Sequence, residues 1–168
     1  MKLNEITTVA TNLQETTLQQ LQSGSDSHFA NRNDINNVRI KQKQYIKYGD
    51  NELLVKAKCA GETNDYDTNI LFDGVQFAQP GDPQSIKLND LQVLPLSANL
   101  NVKVHCTCPD FRWTFAWQNS NANSLIGNPP APYHKTTGRP PRNPAKTPGL
   151  CKHLVRLSDD LQAEQLFV

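Results

Sequence analysis

The chain has 168 residues, 37% of them hydrophobic, with a mean hydropathy of −0.60 and a formal net charge of +1. These values predict one modest core that a metal staple would help, and no apolar run approaches the length of a bilayer span. Met1-Lys2-Leu3-Asn4-Glu5 leads directly into Thr, Asn and Gln without a signal-peptide pattern, so the expected setting is a reducing cytosol, where cysteines serve as metal ligands more readily than as disulfides.

Residues 1–37 read as a polar arm. Val9, Leu13, Leu18 and Leu21 give a broken helical spacing, with Gly24 placed to stop such a helix. From Gly24 to Asn37 the segment is too polar to offset its own ordering entropy, so it is expected to dock on something or to be mobile. Residues 38–168 read as a single α+β domain, a small antiparallel sheet of short strands with a C-terminal helix. Leu53, Val55, Ala57 and Cys59 alternate with Leu54, Lys56 and Lys58 as a half-buried strand, with Cys59 on its apolar face. Asp73-Gly74, between Ile70-Leu71-Phe72 and Val75-Gln76-Phe77, predicts a tight hairpin turn. Leu91–Leu94 is a further strand candidate.

Leu100, Val102, Val104 and Cys106 then alternate with Asn101, Lys103 and His105. Side chains two apart on a strand share a face, so this strand delivers Cys106 and Cys108 together and turns His105 away. Cys106-Thr107-Cys108 and, much later, Cys151-Lys152-His153 supply three thiolates and one imidazole. That set fits a closed tetrahedral zinc site, and soft thiolates select zinc or iron–sulfur over hard cations. Four protein ligands leave no open position for water or substrate, so the predicted zinc is structural and the chain is not read as an enzyme. No Gly-rich phosphate loop or nucleophile motif argues otherwise, and no small-molecule substrate is expected.

Pro109-Asp110 suits a first helical turn, and i,i+4 spacing pairs Phe111 with Phe115 and Trp113 with Trp117; the same residues also alternate as a strand. Packing is the expected role of these aromatics, with base stacking as the functional alternative. Residues 119–148 form a long basic loop with prolines at 129, 130, 132, 140, 141, 144 and 148, expected to wrap a surface or a partner. Thr147-Pro148 predicts the start of a last helix whose stripe is Leu150, Leu154, Leu157 and Leu161. On a regular helix Cys151 and His153 would point about 200° apart, so they can share a metal only by straddling an irregular helix start. His28 and His134 carry no site signal.

Charge is distributed unevenly. From Asn101 to Arg156 the bases are Lys103, Arg112, Lys135, Arg139, Arg142, Lys146, Lys152 and Arg156, against the single acid Asp110. Such a span attracts nucleic acid or acidic partner surfaces.

With its pattern Cys-x-Cys…Cys-x-His and a helix at the second pair, the chain resembles the SWIM-type zinc finger. The resemblance implies a ββα arrangement, with Cys106, Cys108, Cys151 and His153 as the ligands of one structural zinc, and an association with DNA or other proteins. The gap from 109 to 150 is longer than is usual for that family. Cys106–Ala116 and Arg142–Leu154 look like the matching blocks of small SWIM-bearing proteins encoded by tailed bacteriophages. This implies a structural or interaction protein of the virion or its assembly, located in the particle or the infected host's cytoplasm. Its expected partners are other virion proteins, met through the arm, the loop prolines and Tyr133. The alternative is a nucleic-acid-binding finger acting through Arg139, Arg142, Lys146, Lys152 and Arg156.

Overall fold

The computed structural model describes residues 16–29, 32–132, 134 and 136–168. Val9, Leu13 and Tyr133 lie outside them, as does Lys135. Helices α1 (Leu18–Ser25) and α2 (Asn33–Asn36) precede strands β1 (Arg39–Gly49), β2 (Glu52–Ala60), β3 (Asp65–Asp73), β4 (Ile86–Leu88), β5 (Leu91–Val93) and β6 (Asn101–Cys106). A π turn at Phe111–Phe115, α3 (Ala116–Asn121) and α4 (Lys152–Ala163) complete the order. The fold class is α+β, as expected.

Alternation builds the main sheet, whose strands run in the order β1-β2-β3-β6 with antiparallel neighbours. On its inner face the register stacks three buried rows: Leu53–Phe72–Val102, Val55–Ile70–Val104 and Ala57–Thr68–Cys106. α4 packs on β3 and β6, and its Leu154, Leu157 and Leu161 are fully buried in the core. Fully burying a leucine is worth about 1.5–3 kcal/mol, so this stripe is a principal reason the helix forms where it does. At the sheet's edge, β1 is tied to the same helix. Lys43 bonds both Asp160 and Glu164, and the Tyr45 hydroxyl donates to Glu164. Burial opposes the charge on Lys43, but those carboxylate bonds outweigh it and hold the ammonium protonated above the usual lysine range.

The free edge of β6 is covered rather than left open. Val102 N–H donates to the Thr16 carbonyl and Val104 N–H to the Ser124 carbonyl, while Ile126 N–H returns to Val104. Covering an edge removes a template for association. β4 and β5 form a separate two-stranded hairpin.

Five expectations change. Asp73-Gly74 does not turn a hairpin. Gly74 takes φ +90° and, with Val75, donates to the Asn51 carbonyl, so the dipeptide ends β3 against the β1–β2 turn. The described part of the arm is not free: Leu18, Leu21 and Ile35 are buried in the main core. Thr17 caps α1 with a Gln20 capping box, and the helix continues through Gly24 to Ser25. At Gly24 a Cβ would lie 2.0 Å from the Pro148 carbonyl oxygen, so glycine there permits close contact between helix and chain and does not act as a stop. The segment that begins at residue 119 is not irregular throughout: α3 runs to Asn121, and Asn119, Ser124 and Leu125 are buried. Finally, α4 starts at Lys152 with Cys151 as N-cap, four residues beyond the Thr147 predicted for that role. Among the described residues no helix is long and apolar enough to cross a membrane.

Candidate metal centre

Two local structures converge at one end of the buried sheet face. Cys106 is the last residue of β6, opposite Thr68 of β3. The next residue clips the turn in place: Thr107 N–H donates to the Asp67 carbonyl at 3.1 Å, and its hydroxyl accepts from Asp67 N–H at 3.0 Å. Cys108 then sits beneath the start of the helical segment, where Phe111 N–H donates to its sulfur at 3.3 Å. The helix widens here, with Ala116 N–H bonding back to the Phe111 carbonyl, and Phe111 and Phe115 both enter the core. That resolves the helix-or-strand ambiguity in favour of a helix with a π turn, a form enriched at functional sites.

The second half-site is held from the side. The Asn119 amide brackets Gly149, donating to its carbonyl at 2.9 Å and accepting from its N–H at 2.8 Å. Leu150 N–H donates to Ser25 Oγ at 2.6 Å. Thus pinned, the chain reaches Cys151 extended, with φ −73° and ψ 168°, and turns helical only at Lys152. Cys151 therefore lies outside the helix and His153 inside its first turn. This is the straddling that the angular argument required.

The ligand atoms of Cys106, Cys108, Cys151 and His153 all lie within 4.8 Å of one another, and all four residues are buried. His153 Nδ1 is 3.9 Å from Cys106 Sγ and 4.0 Å from Cys151 Sγ. A tetrahedral cation bonded to sulfur at about 2.3 Å and to nitrogen at about 2.0–2.1 Å sets those atoms about 3.6 Å apart. A small contraction of the cluster thus suffices to hold one metal ion. His153 Nε2 is buried with no hydrogen-bond partner among the described residues, while Tyr66 lies against the imidazole ring at 4.9 Å. A neutral imidazole that ligates through Nδ1 carries its proton on Nε2.

The thiols influence one another strongly. The hydrogen bond it gives Cys108 holds the Cys106 thiol well above the usual range. Burial does the same to Cys151, aided by the two neighbouring sulfurs. Cys108 moves the opposite way, because hydrogen bonds from Cys106 and Cys151 converge on its thiolate. A cation bound here would displace the protons that remain on these sulfurs.

Other candidates fall outside the cluster. Cys59 is buried, 3.6 Å from Thr68 Oγ1, and burial raises its thiol, as suits a core cysteine. His105 packs edge-on against Phe111. His134 is exposed. His28 is not idle: it lies edge-on to Phe29 and Phe115, with Nε2 3.3 Å from Asp110. The five bases proposed for phosphate contact have different surroundings. Arg139 and Lys146 are exposed and Lys152 half-buried, Arg142 stands 3.8 Å from Asp110, and Arg156 donates Nε–H to the Val38 carbonyl within the fold. The chain matches no known family model, and no curated protein or solved structure is significantly similar to it.

Proposed function

We propose that this chain is a non-enzymatic, zinc-stapled structural or interaction protein, serving in the virion or the assembly of a tailed bacteriophage. The observation that carries the reading is the buried Cys3His cluster. Three sulfurs and an imidazole favour zinc over harder cations, and four protein ligands complete a tetrahedron. A metal so enclosed has no site for a reacting water or a substrate carbonyl, so its contribution is to join β6 to α4. The phage setting is supported by the resemblance at Cys106–Ala116 and Arg142–Leu154.

The test has two parts. Elemental analysis of the purified protein should give one zinc per chain, and iron or no metal would overturn the metal assignment. Mass spectrometry of purified particles from an infection expressing this reading frame should find the chain at stoichiometric level. Its confinement to the infected-cell extract would overturn the virion role.

A further inference from the structure

Both tryptophans of the chain line one cleft of about 430 Å³, which includes none of the metal-cluster residues. Trp113 is 47% exposed although tryptophan is among the largest apolar side chains, and the Arg112 guanidinium lies 4.9 Å from the centre of its ring. Arg142 and Lys146 line the same cleft; Gln118 and Asn121 add amides, and among the described residues no carboxylate lines it.

The cationic wall is built. Asn143 Nδ2 donates to the carbonyls of Thr114, at 3.0 Å, and Thr147, at 2.7 Å, while its Oδ1 accepts from Thr147 N–H at 3.2 Å. These bonds fasten residues 143–147 to the π turn. Lys146, with φ +52°, occupies the left-handed region that a residue with a side chain enters at a cost of about 1–2 kcal/mol. Such strain persists where the surroundings over-determine it, and it clusters at sites that hold ligands. Asp110, which is not among the lining residues, accepts from the Thr114 hydroxyl at 3.0 Å and stands 3.8 Å from Arg142.

Flat aromatic faces, amides and paired cations select a ligand. An acidic peptide would satisfy the cations but has no use for two indoles. A proline-rich peptide would use the indoles but not the cations. A duplex hides its base faces inside the stack, whereas a single strand offers both a π-face and a phosphate at each nucleotide. The volume lies within the range of small-ligand pockets, about 300–1,000 Å³. We propose that this cleft binds single-stranded nucleic acid, with a base stacked on Trp113 or Trp117 and the adjoining phosphates on Arg142 and Lys146. This goes beyond the assembly reading and stands independently of it.

Because the chain has no other tryptophan, its intrinsic fluorescence reports on the cleft directly. Zinc-loaded full-length protein should be titrated with oligo-dT, oligo-rU, a DNA duplex and polyglutamate. Saturable quenching by either single strand, and not by duplex or polyglutamate, is expected; the tighter of the two strands identifies the sugar preferred. Measured by anisotropy of a labelled strand, Trp113→Ala should weaken binding about 5- to 150-fold, the effect of one lost stack, and Trp113→Phe should restore much of it. Lys146→Gln should lower the salt slope by about 0.7. Circular dichroism should show each variant folded, as expected for exposed positions. Binding of duplex as tightly as single strand, quenching by polyglutamate, no quenching by either strand, or unchanged affinity in Trp113→Ala would each overturn the proposal.

Discussion

Replacing Cys108 with serine removes the sulfur on which the metal cluster centres. Cys106 and Cys151 both direct hydrogen bonds to it, and Phe111 N–H donates to it at 3.3 Å. A serine hydroxyl does not ionise at neutral pH and is a poor ligand for zinc. Structural zinc contributes about 10–16 kcal/mol of apparent free energy at neutral pH, against a typical net domain stability of about 5–15 kcal/mol. Losing the metal should therefore bring the fold to the edge of stability or past it. The loss should reach the whole sheet, because Cys151 caps α4 and the fully buried leucines of that helix cover the sheet's inner face. The matched control is Cys59→Ser, also buried, where the hydroxyl keeps the bond to Thr68. Its cost should be about 1–2 kcal/mol, a fall of roughly 2–8 °C in Tm for a domain of this size. The assay is thermal melting by circular dichroism with elemental analysis on the same samples, repeated with a chelator. Cys108→Ser and chelated wild type should lose both zinc and the cooperative transition, while Cys59→Ser keeps both. Equal behaviour of the two substitutions, or zinc retained in Cys108→Ser, would refute the ligand assignment.

Three further outcomes follow from the same geometry. Metal affinity should fall with acid by about 1,000-fold per pH unit near neutrality: without its metal the fold is at or past the edge of stability, so the thiols of Cys106, Cys108 and Cys151 return to the ordinary thiol range and each gives up a proton on binding. Competition titration with a chromophoric chelator at two pH values measures this, and a pH-independent affinity would contradict it. Gly24→Ala should destabilise by about 1–3 kcal/mol, because its Cβ would meet the Pro148 oxygen at 2.0 Å, while Gly138→Ala, with nothing within 4 Å, should be neutral; denaturant melts compare the two. Asn119→Ala leaves the buried N–H and carbonyl of Gly149 without that side-chain partner, at a cost of about 2–4 kcal/mol, and should also weaken zinc binding in the chelator assay by loosening Cys151.

The strands that carry a buried face were legible because period-two alternation is visible wherever one side is apolar. β2 and β6 show it, and in β6 it placed Cys106 on the inner face. β1 was not legible. Its residues are half-buried or exposed along the whole strand, and its inner positions include Lys43, whose partners Asp160 and Glu164 lie on α4. Composition misled for the arm, since the three residues that dock it, Leu18, Leu21 and Ile35, are scattered in polar sequence and depend on surface supplied from elsewhere. Asp-Gly signals local conformation but not which strand follows. At the candidate metal centre the spacing was enough to single out the four residues that the fold brings together. Nothing in the sequence marked Asn119 or Ser25, because they act through long-range hydrogen bonds to backbone, two between Asn119 and Gly149 and one between Ser25 and Leu150.

The long gap between the two half-sites follows from how each is held. Cys106 and Cys108 are fixed by the register of β6 on β3, by the Thr107–Asp67 clip and by the turn into the helix. Cys151 and His153 are fixed by Asn119, Ser25 and the leucine stripe of α4. Neither depends on the length of the intervening chain, whose closure entropy rises only by about 0.6 kcal/mol per doubling. The segment between them is therefore free to acquire structure of its own. It forms α3, covers the edge of β6 through Ser124 and Ile126, and returns to build the wall of the tryptophan cleft through Asn143 and Lys146. On the proposed reading, the metal would secure both ends of an insert, and the insert would carry the recognition surface. Conversely, substitutions at Trp113 or Arg142 should change what the protein binds without changing whether it holds zinc.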